Sequence, residues 1–307
     1  MKKILIPLGV VLSVLTAGCK KTEPPPVVQK CNLVEARSLV VNNFNPNHPV
    51  FPDPLPLFQK TYDPVSGKLS KLNAYMLYPG TPFPTTEMHV VYNGSSQYFL
   101  KSPTDTIAVF TYDNAGKIVE AFASGQVLSL RGFRLTKYRF NYTDGKLSSI
   151  DSRVERDNIP FNYPLAYRTD MRFFYDDNVH GLKKIEYLTS NGTVYDTQTF
   201  EYDLTRKAKN QFYGDDFILS SSATFWQFLR YFDLFPEMNS ENLLAKVFET
   251  PGVFQEEKTK IYKNQVVDSN GNLISYSYDQ YTFSAYRGQA DWTVNWSCSN
   301  NASSKAQ

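Results

Sequence analysis

The chain has 307 residues and is 42% hydrophobic and 15% aromatic, with Tyr and Phe far ahead of Trp. Its 32 basic and 30 acidic residues nearly cancel, and no Lys/Arg run exceeds Lys20-Lys21 or Lys183-Lys184. The basic surplus that neutralises phosphates is therefore absent, and no nucleic acid is expected as a partner.

Met1-Lys2-Lys3 is a basic start, Ile4 to Leu15 is apolar, and Ala17-Gly18 places small residues directly before Cys19. That order reads as a secretory signal peptide, too short to remain as a membrane span. With the cysteine at the cut it resembles a bacterial lipoprotein signal, although Thr16 stands where such signals more often carry leucine. The resemblance implies cleavage before Cys19, acylation of its thiol (palmitate) and attachment to a membrane. Loss of residues 1–19 removes Lys2 and Lys3 and leaves a formally neutral chain. Residues 20–30, with Pro24-Pro25-Pro26, read as an extended tether. Lys20-Lys21-Thr22-Glu23 lacks the aspartate that resembles an inner-membrane retention signal, so the expected place is the outer membrane, periplasmic or surface-facing.

Residues 31–300 read as a single β domain, with 301–307 a tail. Cys31 to Val41 suits a first strand. The prolines between Asn42 and Pro56 mark an irregular stretch, and Tyr78 to Pro84, with three more, reads as a second break. Then comes a loose repeat: Phe58-x-x-x-Tyr62-Asp63 to Gly67-Lys68-Leu69, Phe110-x-Tyr112-Asp113 to Gly116-Lys117-Ile118, and Phe140-x-Tyr142 to Gly145-Lys146-Leu147. Phe174-Tyr175-Asp176 to Gly181-Leu182, Phe200-x-Tyr202-Asp203 and Asp268 to Leu273 continue it. Each unit is an aromatic strand, an Asx/Gly turn, then a strand opened by Lys or Leu, which is hairpin chemistry. Tyr138, Phe140 and Tyr142 alternate with Lys137, Arg139 and Asn141, and Trp292, Val294 and Trp296 with Thr293 and Asn295, so one face is apolar and one polar. Phe225, Phe228, Leu229, Phe232 and Phe235 break the period and predict one short helix over 223–235. The expected fold is all-β, a curved antiparallel meander or partly closed barrel. A membrane barrel also alternates faces. Against that reading, the polar face is charged and a lipid anchor would be redundant.

With Cys19 acylated, Cys31 and Cys298 remain, at opposite ends of an exported chain where disulfides persist. They are expected to bond rather than stay as two free thiols, which would set the first and last strands side by side and favour closure.

The Tyr-Asp and Gly-Lys/Leu units, with the signal, resemble a family of Bacteroidota lipoproteins, a domain of unknown function with a porin-like fold. Its Phe-x-Tyr-Asp strand, Asn-(Pro)-Phe segment, short helix and Ser-x-Asn turn match Phe200 to Asp203, Asn210-Gln211-Phe212, residues 223–235 and Ser240-Glu241-Asn242 in order. Gln211 departs from the usual proline. The resemblance implies a curved sheet or barrel and no known activity.

No catalytic motif stands out. His48, His89 and His180 have no metal-ligand spacing, and no nucleophile elbow or phosphate loop occurs, so neither metal nor cofactor is expected. Adjacent carboxylates such as Asp176-Asp177, Asp215-Asp216 and Glu256-Glu257 point to opposite faces in a strand. Asp268 to Asn272 resembles the start of a calcium loop but has its glycine too early, and a hairpin turn explains it better. The best binding hints are aromatic loops carrying Phe161, Tyr163 and Tyr167, and Tyr286 with Arg287. The sequence thus suggests a non-enzymatic binding module for a glycan or an apolar ligand. The alternative is a structural or accessory subunit with an envelope protein as partner.

Overall fold

The computed structural model describes residues 30–42, 55–78, 81–102, 105–123, 135–155, 167–189, 191–213, 240–251 and 257–299. The signal, Cys19, the 223–235 helix, Phe161 and Tyr163 lie outside these residues. The described strands are β1 (Lys30–Asn42), β2 (Leu55–Tyr62), β3 (Leu69–Tyr78), β4 (Thr81–Asn93), β5 (Ser96–Ser102), β6 (Asp105–Tyr112), β7 (Ile118–Ala123) and β8 (Leu135–Thr143). They continue with β9 (Lys146–Glu155), β10 (Arg168–Asp176), β11 (Gly181–Leu188), β12 (Val194–Lys207), β13 (Asn242–Pro251), β14 (Lys258–Val267), β15 (Leu273–Thr282) and β16 (Ala285–Ser299). Each pairs with its sequence neighbours, and β16 returns to β1, so the sheet is a closed barrel. The even-to-odd connections, β2–β3 through β14–β15, share one end with the start of β1 and the finish of β16; this is the turn side. The odd-to-even connections define the loop side.

The repeat explains how the hairpins lock together. In five of them the register shifts immediately before the tyrosine of the motif, at Tyr62, Tyr112, Tyr142, Tyr175 and Tyr202. The shift frees a tyrosine to reach the preceding strand. Tyr62 donates its hydroxyl to the Leu33 carbonyl (2.9 Å), Tyr142 to Ile118 (2.9 Å) and Tyr202 to Leu182 (2.7 Å). Trp296 does the same with its indole N–H to Leu273 (2.9 Å). The lysine after the turn glycine reaches forward: Lys68 lies over the Tyr92 ring (4.9 Å), Lys117 over Tyr142 (4.8 Å) and Lys146 over Tyr175 (5.3 Å). Asp63, Asp113 and Asp268 shape their turns by accepting backbone N–H bonds within the loop. Asp144-Gly145 has both residues in the left-handed region (φ 50° and 79°), as a two-residue hairpin requires. The apolar residue ending each motif, such as Leu69, Ile118, Leu147, Leu182 or Leu273, drops into the core.

The turn-side end is stoppered by the chain itself. After β12, residues 208–213 turn inward, with Lys209 and Asn210 donating to the Gly271 carbonyl and Leu273 donating to that of Asn210. Buried Gln211 donates to three backbone carbonyls, of Ala208 (3.1 Å), Ser240 (2.7 Å) and Asn242 (3.2 Å). A proline at this place has no side-chain amide to do so. Phe212 meets Phe58 edge-on (5.2 Å), and Tyr213 packs among Tyr262 and Tyr276 while its hydroxyl accepts the Leu244 N–H (2.9 Å).

Closure occurs between β16 and β1, where Cys31 and Cys298 are joined (S–S 2.09 Å). Glu35 adds a polar clamp across three strands, accepting from Gln59 on β2 (2.7 Å), Asn295 on β16 (2.9 Å) and its neighbour Arg37 (2.9 Å).

Two sequence expectations need correction. The stretch Tyr78–Pro84 is not a break: only residues 79–80 separate β3 from β4, and Pro82 and Pro84 pair with Leu77 and Tyr75. The β4 ladder to β5 runs from His89 to Asn93, so these prolines precede it and their missing N–H leaves it intact. The sequence also reads Asp203 to Asp216 as a longer connection between two strands, whereas β12 continues through Asp203 to Lys207.

The faces are sorted with apolar residues inward. Phe58, Leu72, Met88, Phe99, Phe110, Ile150, Ile185, Tyr276 and Trp292 are buried on the inner side. The outer wall carries Lys71–Glu87, Lys184–Glu186, Lys246–Glu201 and Lys263–Asp279 pairs, with nitrogen–oxygen distances of 2.7, 2.7, 3.6 and 2.7 Å. Such pairs stabilise little, but each lysine at a bilayer midplane would cost about 2–4 kcal/mol. This wall is built for water.

Replacing Cys31 and Cys298 by serine removes a crosslink spanning 267 residues. The unfolded-chain entropy of so long a loop puts the loss on the order of 5 kcal/mol, less any relief of strain. Thermal melts should show a clearly lower midpoint with an unchanged far-ultraviolet β spectrum; an unmoved midpoint would contradict this role.

Candidate functional site

Along β15 the inward residues change from Tyr276 and Tyr278 to Gln280 and Thr282 as the strand approaches the loop side, and all four are buried. Residues opposite one another in a ladder share a face, so the registers carry this polar lining across the neighbouring strands. Gln198 faces Glu249, Glu249 faces Lys258, and Lys258 faces Thr282. One rung towards the turns, Val247 faces Lys260, Lys260 faces Gln280, and Gln280 faces Gly288. One rung towards the loops, Tyr187 faces Asp196.

The groups are mutually bonded in part. Gln198 donates to Glu249 (2.6 Å) and accepts the Tyr187 hydroxyl (3.2 Å). The Lys260 ammonium lies 5.1 Å from the centre of the Tyr278 ring. Burial pushes the Asp196 carboxyl above its ordinary range, against a backbone bond at Thr197 and the charge of Lys258. Asp196 Oδ1 and Gln280 Nε2 are buried without a hydrogen-bond partner. A second polar group sits at the loop-side ends of β9 and β10, where Asp170 bonds Ser152 and Arg168 and is likewise raised by burial. The lining thus offers amides, carboxylates, ammoniums and hydroxyls at close intervals, a set suited to holding a hydroxyl-rich ligand.

Of the aromatic residues singled out in the sequence, Tyr167 and Tyr286 lie away from this lining, and Phe161 and Tyr163 fall outside the described residues. Tyr167 is on the outer wall, its ring covered by the Arg139 and Arg153 guanidiniums (4.1 and 5.1 Å) and its hydroxyl bonded to Glu120 (3.3 Å). That arrangement holds Tyr167 against the barrel and occupies its ring. Tyr286 pairs edge-on with Tyr281 (5.7 Å) at the β15–β16 hairpin and is about half exposed, with half-buried Arg287 beside it. Asp268 makes a hairpin turn, accepting from Asn270 and Asn272. Sequence reasoning missed the lining because Lys258, Lys260, Gln280 and Thr282 read as ordinary strand polars. Their signal was parity: each falls on the same alternation as Tyr262, Tyr276 or Tyr278.

No family model and no curated protein matches the chain. Two solved structures are similar. A porin-like protein from Bacteroides vulgatus is 14% identical with a TM-score of 0.51, the match covering 86% of this chain and 97% of that one. A porin-like protein from Bacteroides uniformis is 13% identical with a TM-score of 0.52, covering 89% and 98%. At these identities the likeness shows the fold: the chain is an all-β, porin-like barrel, as the Tyr-Asp hairpin pattern implied.

For Asp196 the raised carboxyl has a signed consequence. Between the ordinary and the raised pKa the folded protein keeps a proton that the unfolded chain has released, so stability falls as pH rises through that interval. Asp196→Asn should flatten that fall in denaturant titrations run from about pH 4 upward; parallel pH profiles for variant and parent would contradict the assignment.

Proposed function

We propose that this protein is a non-enzymatic, lipid-anchored barrel of the cell envelope that holds a glycan on the loop-side half of its inner wall. The observation that carries the reading is the change of lining from aromatic to amide, carboxylate and ammonium along β12–β15. An apolar ligand fits less well, because the apolar part of the interior is filled by its own side chains, Phe58, Phe99 and Phe110 among them. A barrel whose outer wall faces water has no membrane hold of its own, so an acylated Cys19 would be its attachment rather than a redundancy. The tether of residues 20–29 spans about 30 Å if extended. The membrane in this reading is the outer membrane.

A second reading, an accessory subunit, has one observation of its own. Phe283 and Ser284 at the β15–β16 tip both hold left-handed backbone (φ 47° and 63°), and Phe283 is 60% exposed. Bulky residues rarely adopt that conformation, and an exposed aromatic held this way suits a protein partner.

Native mass spectrometry of the protein purified from a diderm host, before and after adding an oligosaccharide mixture, tests the first reading. A discrete carbohydrate mass that leaves on denaturation is expected. A bare mass throughout, with a stoichiometric envelope protein in crosslinked samples, would overturn it in favour of the second.

A further inference from the structure

The stopper at the turn side is held from two directions. On the β12–β13 side Gln211 donates to the Ser240 and Asn242 carbonyls, and the Ala208 N–H donates to that of Glu241 (2.9 Å). On the other side the stopper rests on the β14–β15 turn and, through that turn, on the end of β16. Asn272 makes this link. It is fully buried, and its Nδ2 donates both to Asp268 Oδ2 (2.9 Å) and to Cys298 Sγ (3.4 Å). Its Oδ1 accepts from Asn210 Nδ2 in the stopper (2.7 Å). A second link runs beside the first. Trp296 donates to the Leu273 carbonyl (2.9 Å), and the Leu273 N–H donates to that of Asn210 (2.9 Å). Cys298 is therefore a single carboxamide away from the stopper, and its bond to Cys31 fixes where its sulfur sits. Both cysteines are half-buried, so the bond is not sealed from solvent.

We propose that Cys31–Cys298 is a redox-sensitive latch for the stopper, with Asn272 as the positioning residue that couples the two. The step is thiol–disulfide exchange with a protein dithiol of the envelope. One thiolate of that dithiol attacks the sulfur of Cys31 or Cys298, forming a mixed disulfide and releasing the other cysteine, which takes up a proton. The second thiol of the reductant then displaces the remaining cysteine. The reductant leaves as a disulfide, and this chain has gained two electrons and two protons. Two thiols do not stay at bonding distance, so the Cys298 sulfur moves and a buried Asn272 N–H loses its acceptor. A buried donor left unmet is destabilising, and a planar amide that turns to meet a new partner gives up Asn210. The stopper keeps its Gln211 bonds and loses its hold on the β15–β16 side.

Hydrogen exchange of the protein carrying Cys19→Ala, read by mass spectrometry with and without a phosphine reductant, tests this. A gain of two hydrogens marks the opened bond. Reduction should speed exchange of the Lys209, Asn210 and Leu273 amides at least about tenfold, the size of one lost buried contact. Strands β6 and β7, halfway round the barrel from β14 and β15, should not change. Asn272→Ala should speed the same amides in the oxidised protein and remove most of the difference between the two redox states. If that variant fails to fold, Asn210→Ala takes its place, since it removes the amide that Asn272 Oδ1 accepts. Unchanged exchange on reduction, an equal rise in β6 and β7, or a full redox difference surviving in the variant would each overturn the proposal. So would a bond that the reductant fails to open in the folded protein.

Discussion

The barrel depends on a hydrogen bond between neighbouring strands: a tyrosine hydroxyl, freed by a register shift, donated to the first inward residue's carbonyl on the preceding strand. Tyr62, Tyr142 and Tyr202 make it, and Trp296 substitutes an indole at the last hairpin. A lone hairpin is marginal in water. Each gains stability by burying an apolar residue at its turn and by being fastened to the hairpin before it. The lysine over the next tyrosine ring fastens it to the one after. Repetition of that coupling leads the chain round until Cys298 meets Cys31 and Glu35 reaches Asn295.

Closure has a functional consequence because of which face turned inward. With the aromatic alternation inside and ion pairs outside, the described outer wall is charged, and the proposed recognition falls to the interior. The interior is divided lengthwise. Its turn-side portion is closed by Gln211, Phe212 and Tyr213 and packed with aromatic rings. Towards the loops the same strands carry amides and charges, some with unmet hydrogen bonds. Buried polar groups left in this state are tolerated mainly where a ligand or water completes them.

Much of this was legible in the sequence, for local reasons. Asp-x-x-Gly and Asp-Gly turns, the Phe-x-Tyr alternation and the buried Leu or Ile after each turn are short-range patterns, and they appear where the repeat put them. Cys31 and Cys298 pointed to adjacent terminal strands before any register was known. Pro82 and Pro84 misled, because proline is excluded only where a ladder needs its N–H, and that depends on where β5 begins. Asn210-Gln211-Phe212 stood out as a motif, yet its role as a stopper depends on carbonyls of Ser240 and Asn242 that only the fold brings near. The polar lining was legible only as parity with the buried tyrosines of the same strands, not as a cluster. Lys258, Glu249 and Gln198 are neighbours through strand register, and register is a property of the closed sheet. Tyr167 looked available in the sequence, but its ring lies between two arginines from β8 and β9.

The most direct test of the central claim, a barrel with its apolar face inside, is sedimentation velocity of a Cys19→Ala form in detergent-free buffer, paired with circular dichroism. A compact, soluble species with a β spectrum is expected without detergent. A chain that aggregates or loses its β signal until detergent is supplied would show that its outer wall belongs in lipid and would contradict the claim.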